Sequence, residues 1–147
     1  FTEPVLRVEL GYLVPAGSPI RSFADVDQPG VKIGVSEGSS TLAALPRLLK
    51  SATLAPVPSM AVVAQQLNAK GLDAFATNKG ILFELSDQVP GSRVLEGRWG
   101  VENIAIAVPK GRQSAQPFLA RFAQKMRDSG ELQKMMDRAG LRGAARD

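Results

Sequence analysis

Short apolar runs alternate with a helical pattern through the middle of the sequence, and this alternation limits the possible folds more than any other feature. VKIGV (31–35), TLAPV (53–57) and LDAFAT (72–77) are largely apolar runs of strand length. Between the last two, MAVVAQQLNAK has a helical repeat that begins after Ser59, a good N-cap, and ends at Gly71. Strands that alternate with helices form βαβ units, so the sequence predicts an α/β fold with a central, mostly parallel sheet.

Two longer apolar runs flank this segment, and two amphipathic helices follow them. VLRVELGYLV (5–14) and VENIAIAV (101–108) have strand composition, and both runs end in Val-Pro-x-Gly. We predict that they are paired connectors into and out of one lobe. Beyond them, apolar residues recur at helical spacing up to Gly130 and again up to Gly140. These residues, whose methionines are predicted to be core, are Phe118, Phe122 and Met126, followed by Leu132, Met135, Met136 and Ala139.

The amino-acid composition excludes several kinds of chemistry. The 147 residues include neither cysteine nor histidine, which excludes disulfides, thiolate and imidazole catalysis, and the commonest zinc sites. We therefore predict no metal site, no cofactor and no catalytic residue, although carboxylate or lysine chemistry stays open. No apolar run approaches the roughly 20 residues that span a bilayer. The start, FTEPVLRVELG, lacks the layout of a signal peptide, so any export signal is expected outside this sequence.

Positive charge is concentrated near the C-terminal end. Residues 110–147 contain nine lysines and arginines and four acidic residues, whereas the first 109 residues contain nine and ten. A basic helical segment is compatible with binding to nucleic acid or an acidic membrane surface. The basic residues alternate with acidic ones and lack aromatic partners for base stacking, which favours a solvated helix face. We predict no nucleic-acid partner.

The stretch IGVSEGSSTLAAL (33–45) is the first candidate for a binding site. An apolar strand stops at Val35, a polar turn follows, and a helical pattern opens at Leu42. The first N–H groups of a helix are unpaired and partly positive, so they can bind an anionic group such as a carboxylate. Gly38 permits an unusual turn. Taken alone, the stretch favours simple helix capping by Ser39 or Ser40.

Several segments in the same order resemble the type 2 periplasmic solute-binding proteins of ABC transporters, in the polar amino-acid-binding branch. The similar segments are FTEP, LGYLVPAGS, IRSFADVDQPGVKIGVSEGSST, LDAFAT, IAIAVPKG and FLARFAQKMRDSGELQKMMDRAG. The resemblance implies one α/β lobe at 16–108, with first-lobe segments at 1–15 and 109–147. It also implies that most of the first lobe, including an arginine that binds the ligand carboxylate, would precede Phe1. Closure of two such lobes uses hinge strands, for which the Val-Pro-x-Gly ends are candidates.

The same resemblance implies a set of ligand-binding residues. The turn and helix start would supply Gly38, Ser39, Ser40 and Thr41, and the end of the LDAFAT strand would supply Thr77 and Asn78. Relatives usually have aspartate where this chain has Asn78, to pair with the α-ammonium group of an amino acid, so this asparagine departs from the pattern. Helix capping is the alternative role for Asn78. Glu102 and Trp99 could reach the cleft, although a solvated glutamate and a core tryptophan are the simpler readings.

The function implied is that of an extracytoplasmic, periplasmic solute-binding component of an ABC importer, not an enzyme. It would bind a small anionic or zwitterionic, amino-acid-like molecule between two lobes and present it to a membrane permease. One alternative is an enzyme on the same fold, similar to cyclohexadienyl dehydratase, with Glu37 or Glu102 as the acid or base. A second alternative is the effector-sensing domain of a transcription regulator.

Apolar residues at both ends of the chain also predict self-association. Residues 1–11 and 114–140 carry apolar faces that would pack on first-lobe elements. We expect the strand at 5–14 to have an unpaired edge, and such edges recruit other chains. Either these terminal segments cover each other, or two chains form a homodimer, which we favour.

Overall fold

The computed structural model of the protein describes residues 1–145, which form a layered α/β structure. The last two residues of the predicted segment 109–147 lie outside the described residues. In chain order the elements are β1 Leu6–Val14, β2 Lys32–Ser36, α1 Ser40–Ala44, β3 Thr53–Val57, α2 Met60–Asn68, β4 Ala74–Asn78, α3 Lys79–Gln88, β5 Arg93–Val94, β6 Gly100–Ile104, α4 Gln116–Asp128 and α5 Glu131–Ala139.

The six strands form one sheet in which a single strand runs against the others. The order is β3-β2-β4-β1-β5, with β6 also paired to β1. Strand β2 is parallel to β3 and β4, and β1 is antiparallel to β4, β5 and β6. Five strands therefore point the same way, which confirms the predicted mostly parallel sheet.

Each face of the sheet has its own apolar core because side chains alternate along a strand. Tyr12 and Val14 pack on one side with Leu45, beneath α1. Leu13 and Phe75 face the other side and pack on residues of α2 and α3, including Leu82. The sheet is thus covered on both faces, as parallel sheets require.

Strand β1 has no free edge along the part expected to be unpaired. Strand β6 pairs with Leu6–Leu10 on one side, and β4 pairs with Leu10–Leu13 on the other. On that second side, the part of β1 that β4 does not reach is covered by residues 143–145. The Glu9 N–H donates to the Gly143 carbonyl at 2.9 Å, and Ala144 forms a β-bridge with Val8. The expectation of an unpaired edge at 5–14 was wrong, because the C-terminal end of the same chain occupies it.

The two C-terminal helices leave most of their apolar residues exposed. Phe118 is 64% exposed, Phe122 46% and Met135 50%. Ala123 is the one buried residue of α4, and α5 has none. The expectation of core methionines therefore fails for Met135, which is exposed, whereas Met126 and Met136 are half-buried.

The two Val-Pro-x-Gly sequences lie toward opposite ends of β1. The first ends β1 at Val14, which is fully buried in the lobe. The second follows the end of β6, and Ile104 in β6 pairs with Leu6 at the beginning of β1. The two apolar runs that precede these sequences pair with each other through the antiparallel ladder of residues 6–10 with 100–104.

Asp27 fastens the loop that leads into β3. Its carboxylate accepts hydrogen bonds from the backbone N–H groups of Lys50, Ser51 and Ala52, at 2.7 to 3.1 Å. These bonds, that from Ala52 foremost, lower the pKa of Asp27 below its ordinary value. Because the folded-state pKa is lowered, the stabilisation is complete above the unfolded pKa of about 3.9 and is lost as the pH falls through the folded pKa.

We expect Asp27→Asn to lower the thermal midpoint at pH 7 and to flatten its dependence on pH below about 4. Thermal unfolding followed by circular dichroism between pH 2 and 7 measures both effects. Glu96→Gln, a neutralisation at an exposed loop position, is the control. An unchanged acid dependence in Asp27→Asn would contradict this role.

Candidate ligand-binding site

Strands β2 and β4 bring the predicted site residues to one edge of the sheet. The two strands are parallel neighbours, with Ile33 beside Ala74 and Gly34 beside Phe75. Both strands lead into helices at the same edge, β2 through a short turn to α1 and β4 directly to α3. In open α/β sheets, ligands bind in the crevice at the carboxyl ends of the strands. The turn at 37–39 and the end of β4 therefore lie side by side where such a ligand would sit.

The turn between β2 and α1 is a tight reversal followed by a capped helix. The Ser39 N–H donates to the Ser36 carbonyl at 3.2 Å. Between them Gly38 has φ +67°, a left-handed conformation that glycine adopts without strain. The Ser39 hydroxyl oxygen accepts the Leu42 N–H at 3.2 Å, which confirms the capping role considered for Ser39.

The hydroxyl residues at this helix start differ in exposure. Ser40 is exposed and Ser39 is half-buried, whereas Thr41 is buried and only 5% exposed. Thr41 therefore packs into the lobe and does not present its side chain at the surface. Glu37 is exposed, and its N–H donates to the Val57 carbonyl at 3.1 Å. The accessible surface at this turn is therefore formed by Glu37, Gly38, Ser39 and Ser40.

Asn78 makes hydrogen bonds with both ends of its side-chain amide. Its Oδ1 accepts the Ile81 N–H at 3.1 Å, so Asn78 is the N-cap of α3 as the alternative reading expected. Its Nδ2 donates to Oε2 of Glu102 at 3.2 Å. Thr77, the preceding residue, is half-buried. The structure thus joins two predicted site residues, Asn78 and Glu102, in one contact.

The contact between Asn78 and Glu102 passes over β1. Leu10 is level with Asn78 on β4 and with Gly100 on β6, while Val8 is level with Glu102. Residues two apart on a strand share a face, so the Glu102 side chain stands on the same face as that of Asn78. Gly100 has no side chain between them.

A charged group on the opposite face was missed by the sequence analysis. Lys79 is buried, and its ammonium lies 2.7 Å from Oε2 of Glu9; Arg98 lies 3.6 Å from the other carboxylate oxygen. Gly11 makes room for the lysine, because a Cβ there would come within 3.0 Å of Lys79 Cε. The available sequence signal was a glycine in the middle of an apolar strand.

A separate groove of about 810 Å³ lies between the beginning of β1 and α5. Its lining includes Arg7, Arg127 and Arg142 but none of the predicted ligand-binding residues. Within residues 1–145, no group of three or more acidic side chains is placed to hold a metal ion. In the same range no helix has the length and apolarity needed to cross a membrane.

No protein-family model and no curated protein sequence matches the chain. Solved structures of amino-acid-binding proteins do match its fold. A protein from Wolinella succinogenes, described as a binding component of an ABC transporter complexed with lysine, has a TM-score of 0.81 at 23% identity. An ancestral arginine-binding protein bound to glutamine has a TM-score of 0.75 at 22% identity. The arginine-, lysine-, histidine-binding protein ArtJ from Geobacillus stearothermophilus has a TM-score of 0.73 at 21% identity.

Each of these matches covers 94% of this chain and 61% or 62% of the solved structure. The chain therefore spans about three-fifths of the length of the structures that it matches. At this level of identity the likeness establishes the fold. The protein has the type 2 periplasmic-binding-protein fold, in the form seen in amino-acid-binding components of ABC transporters.

Proposed function

We propose that this protein is a solute-binding component of an ABC importer and that it binds a small anionic or zwitterionic, amino-acid-like molecule. The observation that carries the proposal is the edge of the sheet where β2 and β4 end side by side, each leading into a capped helix. The partly positive N–H groups at these helix starts suit a carboxylate. The proposed ligand contacts are Gly38, Ser39, Ser40, Thr41 (through its backbone), Thr77, Asn78 and Glu102.

The architecture proposed for binding has two lobes. Residues 16–108 form one lobe, and the flanking segments 1–15 and 109 onward belong to the other. The antiparallel ladder between β1 and β6 connects them and absorbs the rotation on closure. The closed form would be presented to a membrane permease, on the extracytoplasmic side. The matched structures, described as complexes with lysine, arginine and glutamine, support amino acids as the first ligands to test.

The proposal is for binding without catalysis. Glu37 is exposed at the turn, and Glu102 accepts a hydrogen bond from a neutral amide. Among the described contacts, neither carboxyl group has a second titratable group beside it that could act as an acid or base partner. General acid–base catalysis depends on such tuning of a carboxyl group. The geometry therefore favours recognition.

The experiment is calorimetric titration of the chain with L-lysine, L-arginine and L-glutamine. We expect saturable binding, and we expect Ser40→Asp to weaken it roughly tenfold or more, because the new carboxylate faces the anionic group of the ligand. The same change is compatible with the helix, since a carboxylate in the first turn stabilises it.

Met60→Asp is the matched control, because Met60 is the first residue of α2 as Ser40 is of α1. It should leave the affinity unchanged. Absence of binding to all three amino acids would contradict the assignment of an amino-acid site to the residues of this chain. Equal affinities of Ser40→Asp and the unmodified chain would remove the turn from the site.

A further inference from the structure

We propose that Glu102 is the group that binds the positively charged N–H group of the solute, an ammonium or a guanidinium, and that Asn78 is the residue that positions it. This inference rests on the proposed solute-binding function and specifies the chemistry of its ligand. It starts from a half-buried carboxylate at the ligand-binding edge whose described partner is a neutral amide, the Nδ2 of Asn78 at 3.2 Å.

The carboxylate of Glu9, on the neighbouring strand β1, is a comparison for Glu102 because it has a structural role. Glu9 on β1 is next to Val101 in the ladder, one residue from Glu102. Its two oxygens face Lys79 at 2.7 Å and Arg98 at 3.6 Å, so its charge is compensated within the protein. In the described part of the chain Glu102 has no such cation within 4 Å. A half-buried carboxylate without a cation is partly desolvated, and binding a cation relieves that cost.

Asn78 fixes the position of the Glu102 carboxylate. The Asn78 amide is held at its oxygen by the Ile81 N–H and at its nitrogen by Oε2 of Glu102. The residue that caps α3 therefore also holds Glu102. The other oxygen of Glu102, Oε1, accepts no hydrogen bond from the described residues. A carboxylate held in this way loses little side-chain entropy when a ligand binds. A cationic donor would form a charge-assisted hydrogen bond with the free oxygen.

An asparagine at position 78 places a neutral hydrogen-bond donor, and no second carboxyl group, beside Glu102. An aspartate there would bring two carboxylates to about the 3.2 Å that now separates Nδ2 from Oε2. Two carboxylates at such a distance cannot both stay ionised, so one would take up a proton. The amide instead donates its hydrogen bond to Oε2 of Glu102.

The first test is nitrogen-15 NMR of the chain titrated with ethylammonium and methylguanidinium ions, which contain only the cationic group. We expect saturable shifts of the Asn78 side-chain NH₂ signals and of the Glu102 amide. Glu102→Gln should abolish these shifts while its carbonyl oxygen still accepts the Asn78 bond. Glu96→Gln is the control, because Glu96 is an exposed glutamate in the loop before β6. This variant should show the same NMR shifts as the unmodified chain. Absence of a saturable shift in the unmodified chain would overturn the inference.

The second test compares L-arginine, L-citrulline and 4-guanidinobutyrate by calorimetry. If Glu102 binds the α-ammonium group, Glu102→Gln should weaken the binding of arginine and citrulline at least about tenfold and leave the binding of 4-guanidinobutyrate unchanged. If Glu102 binds a side-chain cation instead, the variant should bind arginine and 4-guanidinobutyrate more weakly and citrulline with unchanged affinity.

The outcomes separate this inference from the proposed function. Amino-acid binding that Glu102→Gln leaves unchanged would overturn the role of Glu102 and keep the solute-binding function. Cation shifts at Glu102 without binding of any of these amino acids would support the cation site and contradict amino acids as the ligands.

Discussion

Replacing Phe75 with alanine should lower the free energy of unfolding by about 3–5 kcal/mol. Phe75, the second residue of β4, is fully buried and is among the largest buried side chains in the described part of the protein. It is level with Gly34 on β2 and Leu13 on β1, and its ring fills the space that Gly34 leaves open together with the Leu72 side chain. A Cβ on Gly34 would come within 3.0 Å of the ring. Strand backbones on both sides limit how far a cavity there can collapse.

Urea unfolding followed by tryptophan fluorescence and circular dichroism measures this change. Ile81→Ala on α3 is the control, because Ile81 is exposed and its truncation should cost well below about 1 kcal/mol. Equal losses in the two variants would show that Phe75 is not in the core. Since β4 ends at Asn78, a destabilised Phe75→Ala chain should also bind solute more weakly once unfolding becomes populated.

The second large effect is expected for Lys79→Met, which should cost roughly 1–3 kcal/mol. The lysine side chain is 10% exposed and that of Glu9 26% exposed, and their charged atoms lie 2.7 Å apart. Removing the lysine leaves the Glu9 carboxylate partly buried with only the more distant Arg98 to compensate it. Breaking a buried ion pair from one side is costly because the remaining charge stays desolvated.

A double-mutant cycle tests the origin of this cost. We expect Lys79→Met combined with Glu9→Gln to lose less stability than the sum of the two single variants, by about 1 kcal/mol or more. Lys134→Met is the matched control, because the pair of Lys134 and Glu131 has a similar separation of 2.8 Å but lies exposed on α5. That change should cost less than about 0.5 kcal/mol. Additive losses in the cycle would mean that the pair itself contributes nothing.

Local sequence signals were sufficient for the helix starts around the site. Ser39, Ser59 and Asn78 were each predicted as possible N-caps, and each accepts the N–H of the residue three positions later. A cap is decided within one helical turn, so the residue type and the next few residues determine it. The parallel arrangement of β2, β3 and β4 was also predicted from local signals, because short apolar strands alternate with helical segments in this part of the sequence.

The exposure of individual residues required the packed structure. Thr41 was expected to contribute a hydroxyl group to the site, but α1 packs on the sheet with that residue buried. Met135 was expected in the core and is half-exposed. A helical repeat shows which residues share a face but does not show how much of that face another element covers.

The sequence by itself determined the α/β class, the capped helix starts and the turn at Gly38, because these depend on residues within a few positions of one another. Only the tertiary structure decided that β1 lies in the interior of the sheet, that residues 143–145 cover its edge, and that Asn78 meets Glu102. Glu102 is 24 residues from Asn78, and Lys79 is 70 residues from Glu9. Such pairs form when strands align across the sheet, and the free energy that aligns them comes from burial of the whole core rather than from either residue.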